Sequence, residues 1–324
     1  MSRAIAQPAR QHHQERRGRH RQGHHRAKQA GRILTNQHCR FRLREQHEAE
    51  FPPLAEQQAE RQGAAVDFAA ADVFERMTQD YVDACETFTP SLDLLIIDES
   101  QDLERAWAND VTQKLKSTGK LYVMGDSGQQ LYTREAFDLQ DAVHIRCMDN
   151  FRSPVRVVEA INSLRLASDP VTPKSAYPGD LPGFEAYGPG KKDGLHGLEK
   201  CLKKLLAEGY TAGQIAVITF AGRERSELLA APTIAGLTTR RFLGTYDNAG
   251  NALWSDGELL VETIYRFKGQ SAPVVVLCEI DFQELNPKEL RKLFVGFTRA
   301  QLRLECLLSE AASGLLMPLS RAVL

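Results

Sequence analysis

Residues 94–103 read LLIIDESQDL, four aliphatic side chains running straight into Asp98 and Glu99. A short apolar run bounded by polar residues suits a fully buried strand of a parallel sheet. In open α/β sheets ligands bind beyond the carboxyl ends of the strands, which is where two adjacent acids would then project. One task suits such a pair well: Asp98 holds a magnesium ion, directly or through water, while Glu99 orients or deprotonates an attacking water. An apolar run followed by Asp-Glu also arises at ordinary strand ends, so the pair takes its meaning from its neighbours.

Those neighbours are further polar clusters at strand ends. The run YVMGDSGQQLY puts Gly125, Asp126 and Gln129 just past a second strand, with Tyr132 after them. A glutamine there can sense a γ-phosphate, and a tyrosine can face a second ligand. DNFRSP sets Phe151 beside Arg152, one able to stack on a base and the other to pair with phosphate oxygens. TIYRFKGQSAPVVVL brings Thr263, Tyr265, Lys268 and Gly269 ahead of a buried strand, and LFVGFTRAQ carries Arg299 on an otherwise apolar helix. Taken singly, Arg299 reads more readily as a surface residue than as an arginine finger.

The elements that must position these residues follow from periodicity. AAADVFERMTQDYVDAC has helical spacing, LDLLIIDE is a strand, and LERAWANDVTQKLKS reads as a helix closed by Gly119. KLYVMGD and AVHIRCMD are the next strands, after which Pro154 opens a helix to about Leu166. Residues 168–194, rich in Pro and Gly, read as an interdomain connection. A second set follows: helix GLEKCLKKLLAEG, strand QIAVITF, helix RERSELLAA, strands LLVETIY and APVVVLCEI, helix PKELRKLFVGFTRA and strand LRLECLL. Two blocks of alternating strands and helices predict two α/β domains with parallel sheets.

Composition bounds the rest. The 324 residues are 42% hydrophobic with a formal net charge of -1, ordinary for a soluble chain holding two cores. That average hides an asymmetry, because residues 1–50 carry most of the histidines and many arginines. Residues 1–60 lack apolar periodicity and are not expected to fold. They read as a basic arm for nucleic acid, as a solvated segment, or as a GC-rich gene translated out of frame. His12, His13, His24 and His25 lack cysteine or acidic co-ligands at fixed spacing, which argues against a metal site. The six cysteines form no C-x-x-C pair, and no apolar stretch is long enough to cross a bilayer, so a reduced cytoplasmic protein without a membrane partner is expected.

In order, DESQD, GDSGQQLY, NFRS, TIYRFKG and VGFTRA resemble the motifs of the UvrD/Rep-type superfamily 1 DNA helicases, over roughly residues 61–324. The resemblance implies RecA-like parallel sheets of the P-loop NTPase type flanked by helices. Residues 61–167 would be the C-terminal part of a first RecA-like domain, 168–194 a linker, and 195–324 a second. It implies ATP and Mg2+ as cofactors and single-stranded or partly duplex DNA as partner. Asp98 would bind magnesium and Glu99 activate water. Gln101 and Gln129 would couple the γ-phosphate to the DNA track, and Phe151 would stack on adenine. Arg152 and Arg299 would close on the γ-phosphate. Tyr132 would lie toward the single strand, while Thr263, Tyr265, Lys268 and Gly269 fall in the motif joining the nucleotide cleft to DNA.

The sequence also departs from that pattern. The phosphate loop G-x-x-x-x-G-K-[ST], which holds the β- and γ-phosphates, does not occur in these 324 residues. Arg134 and Glu135 stand where the family has an aromatic and an arginine, and Ser271 where it often has a glutamate. Two functional expectations therefore stand side by side. One is an ATP-dependent DNA helicase whose recorded product is truncated or frame-shifted, with impaired hydrolysis. The other is a non-catalytic helicase-like module that binds single-stranded nucleic acid or a protein partner.

Overall fold

The computed structural model describes residues 38–42, 76, 89–103, 105–131, 139, 142–188, 191–247 and 251–321. The helix expected over AAADVFERMTQDYVDAC lies outside these residues apart from Arg76, which is helical. Tyr132, Arg134 and Glu135 also lie outside them.

The smaller sheet has three parallel strands in the order β1-β2-β3: β1 (His38–Arg42), β2 (Leu92–Asp98) and β3 (Leu115–Val123). β1 falls within the segment from which no fold was expected. β2 is the LLIID run, and Leu95 and Ile97 are fully buried in it. Between β2 and β3 the helix α1 (Arg105–Thr112) is shorter than expected, closing at Thr112, whose hydroxyl donates to the Asn109 carbonyl at 2.7 Å. The tail KLKSTG, expected to finish that helix, instead enters β3 across a register shift, so Gly119 lies inside a strand. The shift answers a need for pairing: β2 offers a full row of backbone groups that a longer α1 would leave unmet.

The strand expected over AVHIRCMD reduces to β4 (Asp149–Asn150), which pairs with β5 (Thr172–Pro173). Val143 and Ile145 are 90% and 87% exposed, so their alternation marks a face that the described residues do not cover. The helix α2 (Val155–Ser163) follows Pro154 as expected.

The larger sheet has seven strands in the order β6-β14-β13-β7-β12-β9-β8. β6 (Gly183–Tyr187) lies within the stretch read as a connection and forms one edge, parallel to β14 (Ala300–Ser309). β7 (Ile215–Thr219), β12 (Leu259–Thr263) and β13 (Ala272–Ile280) are parallel neighbours. β8 (Thr233–Ile234) and β9 (Leu237–Arg240) form an antiparallel hairpin at the other edge. A separate hairpin joins β10 (Phe242–Tyr246) to β11 (Ala252–Trp254). RERSELLAA, expected as a helix, makes only a single turn at Leu228–Ala230, because Glu227 N–H is tied to the Glu279 carboxylate at 3.0 Å.

Both faces of this sheet are covered, which is why β7 and β13 read as continuous apolar runs. Ala216, Ile218, Val275 and Leu277 face α2, α4 (Pro287–Phe297) and α5 (Glu310–Arg321), where Val157, Ile161, Leu293, Phe297 and Leu316 complete one core. Ile215, Val217, Val274 and Val276 face α3 (Lys191–Ala207), with Leu198, Leu202 and Leu205. Thus α2, read from sequence as part of the first domain, packs on the second sheet. The chain is a mixed α/β protein built on a large, mostly parallel sheet with flanking helices.

Candidate functional site

β2 ends at Asp98, and Glu99 turns the chain with φ 57° and ψ 42°, a left-handed conformation that is costly for a side chain with a Cβ. The turn is held from both sides: Met124 N–H donates to Ile97 O at 2.8 Å and Ser100 N–H to Met124 O at 2.9 Å. This clamp brings the loop after β3 so close that a Cβ on Gly125 would lie 2.4 Å from Ser100 Oγ. Glycine is the residue that admits the approach.

A polar chain runs outward from that turn. Gln101 Nε2 donates to Glu99 Oε2 at 2.6 Å, and Gln101 Oε1 accepts from Asp126 N–H at 2.9 Å. Asp126 caps the following turn, accepting from Gly128 N–H at 2.9 Å and from Gln129 Nε2 at 2.8 Å. Gln129 Oε1 in turn accepts from Arg299 Nη2 at 3.0 Å. The chain Glu99–Gln101–Asp126–Gln129–Arg299 therefore passes from the smaller sheet to the end of α4 on the larger one.

Arg299 is 1% exposed and fully used: Nε donates to Val295 O at 3.1 Å, Nη1 to Gln270 O at 3.3 Å, and Nη2 also to Thr298 Oγ1 at 3.0 Å. It lies inside, not on the surface where a lone arginine on an apolar helix is commonly found.

Lys268 makes the second crossing. Its ammonium, on a side chain only 1% exposed, contacts Asp102 Oδ2 and sits 3.6 Å from Glu99 Oε2. The segment carrying it is wound tightly between β12 and β13. Thr263 is 4% exposed, its hydroxyl accepting from Arg266 N–H at 3.2 Å, and Phe267 N–H donates to Thr263 O at 3.0 Å. Gly269, at φ 74°, then turns the chain toward β13. Glu262, just before, accepts from Thr263 N–H at 2.7 Å and pairs with Arg266 Nε at 3.2 Å. Burial nevertheless pushes its carboxyl above the usual range.

The structure thus gathers Glu99, Gln101, Gln129, Lys268 and Arg299, with half-buried Asp98 at the mouth of β2. It places other candidates elsewhere. Phe151 is 70% exposed and Arg152 is exposed on the turn after β4, where Arg152 N–H donates to Asn150 Oδ1 at 3.0 Å. Thr263 is turned inward, and Tyr265 is packed against the core, where burial raises its phenol. Two residues to which the sequence assigned no role turn out to be central: Asp102, the last position of DESQD, and Asp126, the acid of the GDSGQ cluster. Their position inside the motifs was the available signal.

Among the described residues no three His, Cys, Asp or Glu side chains converge as a metal cage. One strand-end carboxylate suits magnesium, which keeps waters and phosphate oxygens for most of its shell. Asp98 is thus a donor of the type such an ion takes.

Residues 258–304 match the family model of the UvrD-like helicase C-terminal domain. The matched stretch contains Thr263, Lys268, Gly269 and Arg299. Among solved structures, the chain is similar to the C-terminal domain of a possible DNA helicase from Lactobacillus plantarum. That similarity has a TM-score of 0.36 and 18% identity, and covers 52% of this chain and 96% of that one. Among curated proteins, none matches.

Proposed function

We propose that this chain, which carries a UvrD-type helicase C-terminal portion, works as the C-terminal part of a superfamily 1 DNA helicase or translocase with RecA-like sheets. The cleft between the two sheets is its nucleotide site, and single-stranded DNA is its track. The observation that supports the reading best is the double crossing between sheets, Gln129 to Arg299 and Lys268 to Asp102 and Glu99.

In this reading Asp98 would hold magnesium, and Glu99 orients a water. The magnesium supplies charge neutralisation on the phosphates when it is bound. Gln129, with the carbonyls of Val295 and Gln270, holds the Arg299 guanidinium at the cleft, where its charge is fixed in place to meet developing phosphoryl charge. Phe151 and Arg152, exposed on their turn, are free to meet a base and a phosphate. Lys268 neutralises the acids in the closed cleft. These residues provide water activation and charge stabilisation. The cradle of backbone N–H groups and lysine that retains the β- and γ-phosphates is not encoded in the 324 residues. Phosphoryl transfer depends almost wholly on positioning, so hydrolysis by this chain alone is impaired and binding of single-stranded DNA is its surviving activity.

The test is fluorescence anisotropy of labelled oligo(dT) titrated with the chain at several salt concentrations. Saturable binding whose affinity falls steeply with salt supports the reading. No binding at low salt refutes it.

A further inference from the structure

We propose that the β10–β11 hairpin with its arginine collar is a contact site for single-stranded nucleic acid, an inference that rests on the function proposed above. Phe242 and Tyr246 on β10 and Trp254 on β11 form one ring cluster, with centroids 5.3 Å apart for Phe242 and Tyr246 and 6.1 Å for Phe242 and Trp254. Three guanidinium groups cover it instead of aliphatic side chains. Arg266 lies 3.6 Å above the Phe242 ring, Arg223 5.1 Å from the same ring, and Arg240 5.5 Å from Trp254.

A two-stranded hairpin is marginal in isolation, and an aliphatic cover would hold it more simply. A guanidinium stacked on a ring keeps its outer face for a base and its N–H groups for phosphate oxygens. Arg223 and Arg240 are both exposed, with Arg223 Nη1 donating to Phe242 O at 3.3 Å, while Tyr246 and Trp254 are half-buried, so charge and part of the aromatic surface reach solvent on the same hairpin. Such pairing of cations with aromatics is how sequence-tolerant single-strand sites are made. Of the acids around the hairpin, Glu262 pairs with Arg266 and Asp247 accepts from Asn251 N–H at 2.8 Å, while Glu224 is exposed beside Arg223. Asp256 and Glu258 are exposed beyond β11 and bound the site on that side.

The collar is built into the backbone. β10 and β11 shift register between Phe242 and Tyr246, and Gly244 sits in that shift with φ 91°. A Cβ there would lie 2.5 Å from Arg223 Nη2. The hairpin also connects to the cleft through one short segment. Arg266 Nη1 donates to Tyr246 Oη at 3.3 Å, while Lys268, two residues on, reaches Asp102 and Glu99. A strand seated on the hairpin would therefore press on the same segment that holds the cleft acids.

The test uses the full chain and oligo(dT), comparing wild type with Arg223→Ala/Arg240→Ala and with Lys203→Ala/Lys204→Ala on α3 as a control. The hairpin variant is expected to lose at least tenfold in affinity and to flatten the salt dependence by about 1.4 in slope, two single-strand phosphate contacts' worth. The control is expected to change little. A second readout covers misfolding: in a Trp107→Phe background, the single remaining tryptophan, Trp254, is expected to be quenched by oligo(dT) with the wild-type binding curve. If wild type binds while the hairpin variant equals the control and Trp254 is not quenched, the hairpin is not a contact and the proposed function stands. If wild type does not bind at all, both fall.

Discussion

Replacing Lys268 by methionine tests how the two sheets are joined. The lysine is 1% exposed and its partners differ: the side chain of Asp102 is 10% exposed and that of Glu99 is 25%. Methionine keeps the length of the stem and removes the charge. Asp102 is then left as a buried carboxylate without its ammonium, and breaking a buried pair in this way costs about 3–5 kcal/mol. Glu99 can recover hydration through its exposed edge, so its share of the loss is minor, and the lower end, about 3 kcal/mol, is expected. With a urea m-value of about 2–3 kcal/mol/M, the unfolding midpoint should fall by roughly 1–1.5 M. Asp102→Asn alone should also destabilise, and the double variant should recover much of the loss, giving a coupling energy of about 2 kcal/mol or more. The assay is urea unfolding followed by circular dichroism on the four proteins of the cycle. A loss below about 1 kcal/mol for Lys268→Met, or a coupling near zero, would refute the claim that a desolvated ion pair bridges the sheets.

Other expectations concern parts of the chain away from the cleft. Arg165 ends α2 in the left-handed conformation, at φ 53°, with Leu166 N–H bonded to Ile161 O at 3.0 Å and Arg165 N–H to Asn162 O at 3.1 Å. That is a position where glycine carries no Cβ penalty, so Arg165→Gly should raise stability by about 0.5–1 kcal/mol in the same assay, and a decrease would count against the cap. Of the four cysteines whose side chains are described, Cys147 is exposed while Cys201, Cys278 and Cys306 are buried. A thiol reagent at neutral pH should therefore modify Cys147 in the native protein and reach the other three only after unfolding. Burial pushes the Cys201 thiol up to about 12. Its unfolded counterpart ionises near 8.5, so its stabilising contribution is complete below that pH and is lost as pH rises toward 12. Urea midpoints should fall between pH 8 and pH 10.5, and less steeply in Cys201→Ala. An equal slope in the variant would assign the loss elsewhere.

Much of the fold was legible because strong periodic signals coincide with burial on both faces. APVVVLCEI and QIAVITF could only be interior strands, and Asn286 followed by Pro287 marks the start of α4, with the Asn286 side chain accepting from Lys288 and Glu289 N–H groups. Local signals failed where a distant partner decides. KLKSTG has helix-compatible residues, yet β2 captures it as strand. AVHIRCMD alternates correctly but finds a partner only at its last residue and the next. The site shows the same division. Asp98, Glu99, Gln101 and Gln129 are marked by adjacent motif residues. The weight carried by Asp102 comes from a lysine 166 positions away, and the hydrogen bond of Gln129 from an arginine 170 positions away. The arginine collar escaped notice because Arg223, Arg240 and Arg266 are scattered in sequence and meet only when the β10–β11 hairpin closes.

ATP hydrolysis is the most direct test of the central claim, that the chain builds a helicase cleft whose turnover is limited by phosphate retention. It should be measured with Mg2+, with and without oligo(dT), in samples that have been shown to bind oligo(dT). The account predicts turnover at the level of Glu99→Gln in both conditions. DNA-stimulated turnover that disappears in Glu99→Gln would contradict it, because the cleft would then be holding the phosphates by residues other than those assigned here.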